Sequence, residues 1–117
     1  MNLTDIINDV RNFRKINGDG STNFDEAGVD FIRSLLACDR LVQSVNPGCY
    51  DAILVTDQEE SFPPEVGERF FGEIFFDKKK RFKDGSFIIV GTVKEVISLH
   101  TEITLVKTSR TNYLVIQ

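Results

Sequence analysis

The spacing of apolar residues in the first half of the chain predicts two helices. The first stripe repeats at the i, i+3, i+4, i+7 intervals of one helix face and consists of Leu3, Ile6, Ile7, Val10 and Phe13. A longer stripe, in alternating steps of four and three residues, consists of Phe24, Gly28, Phe31, Leu35, Cys38, Val42 and Val45. Both stripes are predicted to face a common core.

Helix-breaking residues bound the two predicted helices. The NGDG segment at residues 17–20 ends the first helix, because glycine interrupts helical backbone. The NPG segment at 46–48 ends the second, because proline disfavours helical geometry in the residue before it. Three side chains are candidates to cap the start of the second helix: Ser21, Thr22 and Asn23. We therefore predict one long, continuous second helix.

From Cys49 onward the pattern changes to a period of two, which predicts β-strands. The segments are CYDAILVT, RFFGEIFFD, GSFIIVGTVKEVISL, TEITLVKT and NYLVIQ. Short polar turns between sequential strands favour antiparallel pairing. Gly91, in the middle of the longest segment, indicates a bulge or bend that would curl the sheet towards a small barrel. The last segment would be an edge strand, open to pairing with a second copy.

The predicted fold is α+β: two N-terminal helices packed on a bent antiparallel sheet of four or five strands. With 117 residues, of which 41% are hydrophobic, the chain forms one domain. Its helical part covers residues 1–46 and its β part residues 49–117. No apolar run approaches the ~20 residues of a membrane-spanning helix, and the N-terminus does not resemble a signal peptide.

The two cysteines and the charge distribution restrict the compartment and the class of partner. Cys38 and Cys49 form no CxxC pair, so we expect free thiols in a reducing cytoplasm, with Cys38 in the core. The net charge of −4 divides unevenly. Residues 1–65 hold five basic residues against twelve acids, and residues 66–117 hold nine against six. This acidity disfavours nucleic acid and favours a basic protein partner.

Few residues are arranged for catalysis or metal binding. The segment NGDGSTNFDEAG fails the spacing of an EF-hand in both registers, because neither places glycine sixth or glutamate twelfth. The single histidine, His100, falls in a predicted turn with no nucleophile beside it. There is no phosphate-binding glycine motif. A pair of catalytic carboxylates is not detectable from spacing alone, but the expected function is non-enzymatic, without metal or cofactor.

An acidic loop at residues 57–68 is the predicted contact with a protein partner. The residues assigned to the contact are Asp57, Glu59, Glu60, Phe62 and Glu65. The carboxylates would pair with basic residues, and Phe62 would provide an aromatic anchor. Two prolines stiffen the loop and lower the entropy lost on binding.

A basic loop at residues 78–83 offers an alternative surface for nucleic acid. It contains Lys78, Lys79, Lys80, Arg81, Phe82 and Lys83. The loop lies between two predicted strands and ends in KDG, so its first interpretation is the polar tip of a hairpin. A single-strand binder usually presents several aromatic residues on one basic face, and this loop has one.

Residues 69–116, with RFKDGSFIIVGTVKEV followed by VKTSRTNYLV, resemble small uncharacterised proteins of phages and other mobile elements that carry an RF-x-DG hairpin. The resemblance implies a small antiparallel β unit and no catalytic residue. In size and acidity the chain is also similar to bacterial toxin-immunity proteins. We therefore expect an inhibitor that binds and neutralises a basic nuclease-type toxin in the cytoplasm. The alternative is a phage or mobile-element anti-defence protein, or a nucleic-acid accessory protein.

Overall fold

The computed structural model describes residues 2–17, 24–56 and 63–117. The helices are α1 (Leu3–Asn17), α2 (Glu26–Cys38) and α3 (Arg40–Ser44), followed by a short 3₁₀ turn at Pro47–Cys49. The strands are β1 (Ala52–Val55), β2 (Phe70–Phe75), β3 (Phe87–Val90), β4 (Glu95–His100), β5 (Ile103–Lys107) and β6 (Asn112–Ile116). The α+β class is confirmed, with three helices and six strands among the described residues in place of the predicted two helices and four or five strands.

The predicted long helix is wrong because it breaks at Asp39, whose backbone is extended. The Asp39 amide donates to Leu35 O at 2.9 Å, and its carboxylate accepts from the amides of Leu41 at 2.9 Å and Val42 at 3.1 Å. Asp39 thus ends α2 and begins α3. The N-cap of α2 is Asp25, not one of the three predicted residues 21–23, which lie outside the described part.

Cys38, the last residue of α2, is exposed, so its prediction as a core residue is also wrong. The buried face of α2 is formed by Gly28, Ile32 and Leu36, so Cys38, like Phe31 on the same predicted stripe, lies on the exposed side of the helix. Both cysteines are free, as the sequence indicated.

The six strands form one mixed sheet in the order β3-β2-β1-β6-β5-β4. All neighbours pair antiparallel except β1 and β6, which are parallel, with Ile53 opposite Leu114. The prediction of a wholly antiparallel sheet is therefore wrong. The predicted edge strand NYLVIQ is β6, which lies at the centre and is paired on both sides.

The sheet is strongly curled but not closed. Its two outer strands, β3 and β4, are joined by residues 91–94 alone, a path of about 17 Å at most. Six flat strands would separate the outer pair by about 24 Å, so the sheet must curl. Val93 N donates to Glu68 O at 2.9 Å, and Lys94 N donates to Lys107 O at 2.7 Å, so the link touches both halves of the sheet. The predicted long strand divides at Gly91, because residues 91–94 lie outside both β3 and β4.

Alternate residues of the central strands enter two separate cores. Ile53 and Val55 of β1 face the helices, where they join Ile7, Ile32 and Leu36. Their neighbours Ala52 and Leu54 face the inside of the curl, together with the residues Ile74, Val93, Val106, Tyr113 and Val115. Every residue of β1 is buried, because helices cover one face of the sheet and the curl covers the other.

Two buried carboxylates hold α1 on the sheet. Glu102, between β4 and β5, accepts hydrogen bonds from the amides of Leu3 at 3.2 Å and Thr4 at 2.8 Å, and from Thr4 Oγ1 at 2.6 Å. Farther along the helix, Arg11 pairs with Glu73 of β2 and lies 4.5 Å from the centre of the Phe24 ring. These contacts set the direction in which α1 crosses the strands.

Candidate protein-binding surfaces

An apolar groove with carboxylates at its border lies between α1 and α2. We call it the acidic groove; it has a volume of ≈ 380 Å³ and is lined by Asp9, Val10, Phe13, Asp25, Ala27, Gly28 and Phe31. The Phe13 and Phe31 side chains are 69% and 50% exposed. Large exposed aromatic rings in a shared depression are typical of interaction sites rather than of ordinary surface.

The local sequence explains how this groove forms. Gly28 leaves room beside the N-cap of α2, because a Cβ there would lie 3.1 Å from Asp25 Oδ1, and it would touch Val10 Cγ1 of α1 at 3.4 Å. Val10 and Phe13 are on α1, and Phe31 is one turn beyond Gly28 on α2. Residues of both helices therefore line the groove together, with the two exposed rings among them.

Acidic residues give the groove its charge. Asp9 and Asp25 line it, and Glu26 and Asp30 are exposed on the first turns of α2. The Asp25 carboxylate accepts from Gly28 N at 2.8 Å, which fixes its position. Asp30 lies 3.6 Å from Arg33 in an exposed pair. The arrangement suits apolar side chains of a ligand in the groove and basic side chains around it.

The apolar pattern of the sequence does not indicate this groove, although both aromatic residues belong to the pattern. Phe13 and Phe31 fit the apolar stripes and were predicted to face the core, whereas the structure exposes them. The available signal was the neighbouring acid pattern, in which Asp9 and Asp30 lie within four residues of Phe13 and Phe31.

The predicted acidic loop lies mostly outside the described residues. Asp57, Glu59, Glu60 and Phe62 are not described, and Glu65 is exposed. Beside the described end of the loop is a second depression of ≈ 400 Å³, lined by Pro63, Pro64, Val96, Ser98, Thr101, Thr104 and Gln117. The side chains that line it are uncharged, unlike those of the acidic groove.

The basic loop is the tip of the β2–β3 hairpin, as predicted, and is built around the buried Asp77. The Asp77 carboxylate accepts from the amides of Lys79 at 3.1 Å, Arg81 at 2.9 Å and Phe82 at 3.3 Å, and from Arg81 Nε at 3.2 Å. Burial raises the pKa of Asp77, but the hydrogen bonds from Arg81 and Lys79 outweigh it, so that pKa is lowered.

Three of the five cations in the basic loop bind groups of their own chain. Lys78 Nζ donates to the carbonyls of Pro47 and Tyr50 and lies 4.4 Å from the centre of the Tyr50 ring. Lys79 Nζ donates to Arg110 O and, at 3.0 Å, to Thr111 Oγ1. Arg81 pairs with Asp77.

The structure therefore does not gather the basic loop into one free positive surface. Lys80, Phe82 and Lys83 are exposed, and Arg81 lies 5.4 Å from the centre of the Phe82 ring. The sequence predicted the hairpin but not these internal bonds, because carbonyl acceptors carry no sequence signal.

Candidate chemistry is sparse in the part of the chain that the structure describes. Within residues 2–17, 24–56 and 63–117, no three His, Cys, Asp or Glu side chains are grouped to hold a metal ion. His100 is exposed at the end of β4. Burial raises the pKa of the Tyr50 phenol, which lies beneath Lys78. Among the described helices, none has both the length and the apolar character needed to cross a membrane.

The fold and its surfaces define a small α+β protein with a curled mixed sheet. No protein-family model matches the chain, and no solved structure matches it. The chain is 42% identical, over 121 residues, to an uncharacterised 12.8 kDa protein in the cd-pseT intergenic region of enterobacteria phage T4. That similarity covers 99% of this chain and 97% of the phage protein.

The chain therefore belongs to the family of this phage T4 protein. The relative fits the resemblance to phage proteins inferred from residues 69–116, and the similarity extends through the helices as well.

Proposed function

We propose that the protein binds another protein and neutralises it, without catalysing a reaction itself. The observation that carries this proposal is the acidic groove, where Phe13 and Phe31 are exposed beside Asp9 and Asp25. The chain as a whole is acidic, with a net charge of −4. Complementary charge speeds encounter with a basic partner, and buried aromatic anchors then slow dissociation.

The proposed partner is a basic host protein with an amphipathic segment. Apolar side chains of this segment would enter the acidic groove between the two phenylalanine rings, and its lysines or arginines would face Asp9 and Glu26. A nuclease-type protein fits, since a nucleic-acid-binding cleft is basic by necessity. Because the uncharacterised relative is a phage protein, the partner we propose is a host defence protein in the cytoplasm rather than a toxin encoded beside this chain.

Two matched variants test the groove. Phe13→Ser with Phe31→Ser removes both exposed rings, and Leu99→Ser removes an exposed apolar residue on β4 as the control. Proteins from a host lysate are captured on wild type, and each captured protein is purified and its affinity measured. For the true partner we expect affinity about 100-fold weaker with the groove variant and unchanged with the control. Equal affinity for wild type and the groove variant would refute the groove as the site.

The acidic loop is tested separately with the same purified partner. Changing Asp57, Glu59, Glu60 and Glu65 together to serine removes its charge. If the loop contributes, association slows by about tenfold at low salt, and its salt dependence flattens. An unchanged association rate would exclude the loop and leave the groove result standing on its own.

A further inference from the structure

The two edges of the sheet differ in their protection against further strand pairing. The β4 edge carries Glu95 and His100, and its register shifts between Ser98 and His100. Charges and bulges of this kind prevent pairing with another chain. The β3 edge, Phe87–Val90, is a regular strand with the sequence FIIV and no charge. The β3 edge is therefore the unprotected one.

The hydrogen-bond pattern determines which backbone groups of β3 point outward. Ile74 N donates to Ser86 O at 2.9 Å, and the antiparallel register continues with Gly72 opposite Ile88. Because hydrogen-bonded pairs alternate along an antiparallel ladder, Ile88 and Val90 bond to β2. The amides and carbonyls of Phe87 and Ile89 then point away from the sheet.

The same two residues expose their side chains. Phe87 is 51% exposed and Ile89 is 67% exposed, and the Phe71 ring lies 5.6 Å from the Phe87 ring. Ile88 and Val90, on the opposite face, are buried inside the curl. Phe87 and Ile89 thus have both outward-pointing backbone groups and exposed apolar side chains.

We propose that β3 pairs with β3 of a second copy, antiparallel about a two-fold axis at Ile88. This register places Phe87 opposite Ile89 of the other copy, and the reverse. Both are hydrogen-bonded pairs, which together make about four hydrogen bonds from the outward groups. Opposite residues share a face, so the exposed phenylalanine and isoleucine of each copy cover each other.

A second copy is the occupant because the edge is complementary to itself. In this register Asp84 lies opposite Thr92, Gly85 opposite Gly91 and Ser86 opposite Val90, so no like charges meet. A two-fold strand pair uses the same patch twice and closes, which limits the assembly to a dimer. The contact is small against the ~800 Å² per partner of a stable interface, so dimerisation depends on protein concentration. The inference does not rest on the proposed function, whose groove is formed by other residues.

Sedimentation velocity at increasing concentration tests the dimer. Wild type should shift from 13.3 kDa towards twice that mass between about 1 and about 500 µM. Ile89→Lys places a charge at the centre of the contact and should stay monomeric. Leu99→Lys, on the protected β4 edge, should dimerise like wild type. A monomeric wild type throughout, or equal dimerisation of Ile89→Lys, would overturn the proposal; circular dichroism verifies that each variant is folded.

A cross-link tests the register itself. Phe87→Cys with Ile89→Cys, in a Cys38→Ser and Cys49→Ser background, places two thiol pairs across the axis about 5.5 Å apart between Cα atoms. Mild oxidation should give a disulfide-linked dimer, and a reductant should convert it back to monomer. Phe87→Cys alone should give about tenfold less covalent dimer. Its only partner is residue 87 of the other copy, which lies diagonally across the axis at about 7–8 Å, too far for a relaxed disulfide. Equal yields from the single and double variants would contradict this register.

Discussion

At the scale of single residues, Asp77 organises the tip of the hairpin. Its buried carboxylate receives hydrogen bonds from three backbone amides and from Arg81. These bonds fix the backbone from Lys79 to Phe82 and hold the Arg81 side chain against the carboxylate. In the sequence Asp77 is only one negative charge beside a basic loop. In the structure its carboxylate is the group around which that loop is built.

Asp77→Asn should lower stability at neutral pH by about 1–3 kcal/mol, since it weakens charge-assisted hydrogen bonds. The pKa of Asp77 is lowered in the folded protein, so its stabilising contribution is present above the unfolded-state pKa and is lost as pH falls through the folded value. The difference in unfolding free energy between wild type and Asp77→Asn should therefore shrink below about pH 4. Urea denaturation at several pH values measures it, with Glu68→Gln, an exposed carboxylate, as the control. A difference independent of pH would contradict this account.

Gly85 offers a second residue-level prediction, because its backbone has φ +87° and a Cβ there would collide with Val29 of α2. Val29 is branched at Cβ and cannot swing aside. Gly85→Ala should therefore cost about 2–4 kcal/mol, more than backbone strain alone. Gly67 is the matched control: its φ is +90°, but no atom lies within 4 Å of the added Cβ. Gly67→Ala should cost about 1 kcal/mol, and equal losses in thermal denaturation would exclude the collision.

At the scale of elements, the placement of α1 depends on contacts far away in sequence. Glu102→Ala removes the carboxylate that accepts from Leu3 and Thr4, leaving buried donors without their partner. We expect a loss of about 2–3 kcal/mol in unfolding free energy, with faster amide exchange in the first turn of α1. Glu95→Ala, an exposed carboxylate of β4, should change neither quantity by comparison. Unaltered exchange in Glu102→Ala would show that the cap is not important.

The sequence predicted the elements better than their connections. Apolar periodicity located α1 and most strands, because burial on one face leaves a clear repeat. It missed the break at Asp39, since Val42 and Val45 continue the same spacing after the turn. It also missed the parallel pairing of β1 and β6. The length of a turn indicates how strands adjacent in sequence pair, and these two strands are far apart in sequence.

The candidate surfaces were harder to predict than the elements for a related reason. A stripe of apolar residues identifies a helix face but not how much of that face another element covers, so Phe13 and Phe31 were assigned to the core. The charge of the basic loop was visible, whereas the carbonyls that hold Lys78 and Lys79 were not. The sequence shows which chemical groups a segment contains. Only the tertiary structure shows whether those groups are already bonded to, or buried by, other parts of the chain.

At the scale of the whole molecule, the acidic and the basic residues are concentrated in different parts of the fold. The acidic excess belongs to the half of the sequence that forms the helices and β1, and the basic excess to the half that forms the other five strands. The acidic groove lies between two helices, and the β3 edge belongs to the sheet. Binding of a basic partner and self-association therefore use surfaces of different charge, which lets the two predictions be tested independently.

The central position of β6 has a consequence for synthesis. A ribosome makes β1–β3 and then β4–β5 before it makes β6, the strand that joins them. Until then the nascent chain can form only two half-sheets, and the inner edges of both, β1 and β5, are unpaired and apolar. Joining them closes a long loop, which is slow compared with forming a hairpin. The protein thus has an interval, after β5 is made and before β6 joins the two half-sheets, when chaperones, proteases and aggregation compete for it.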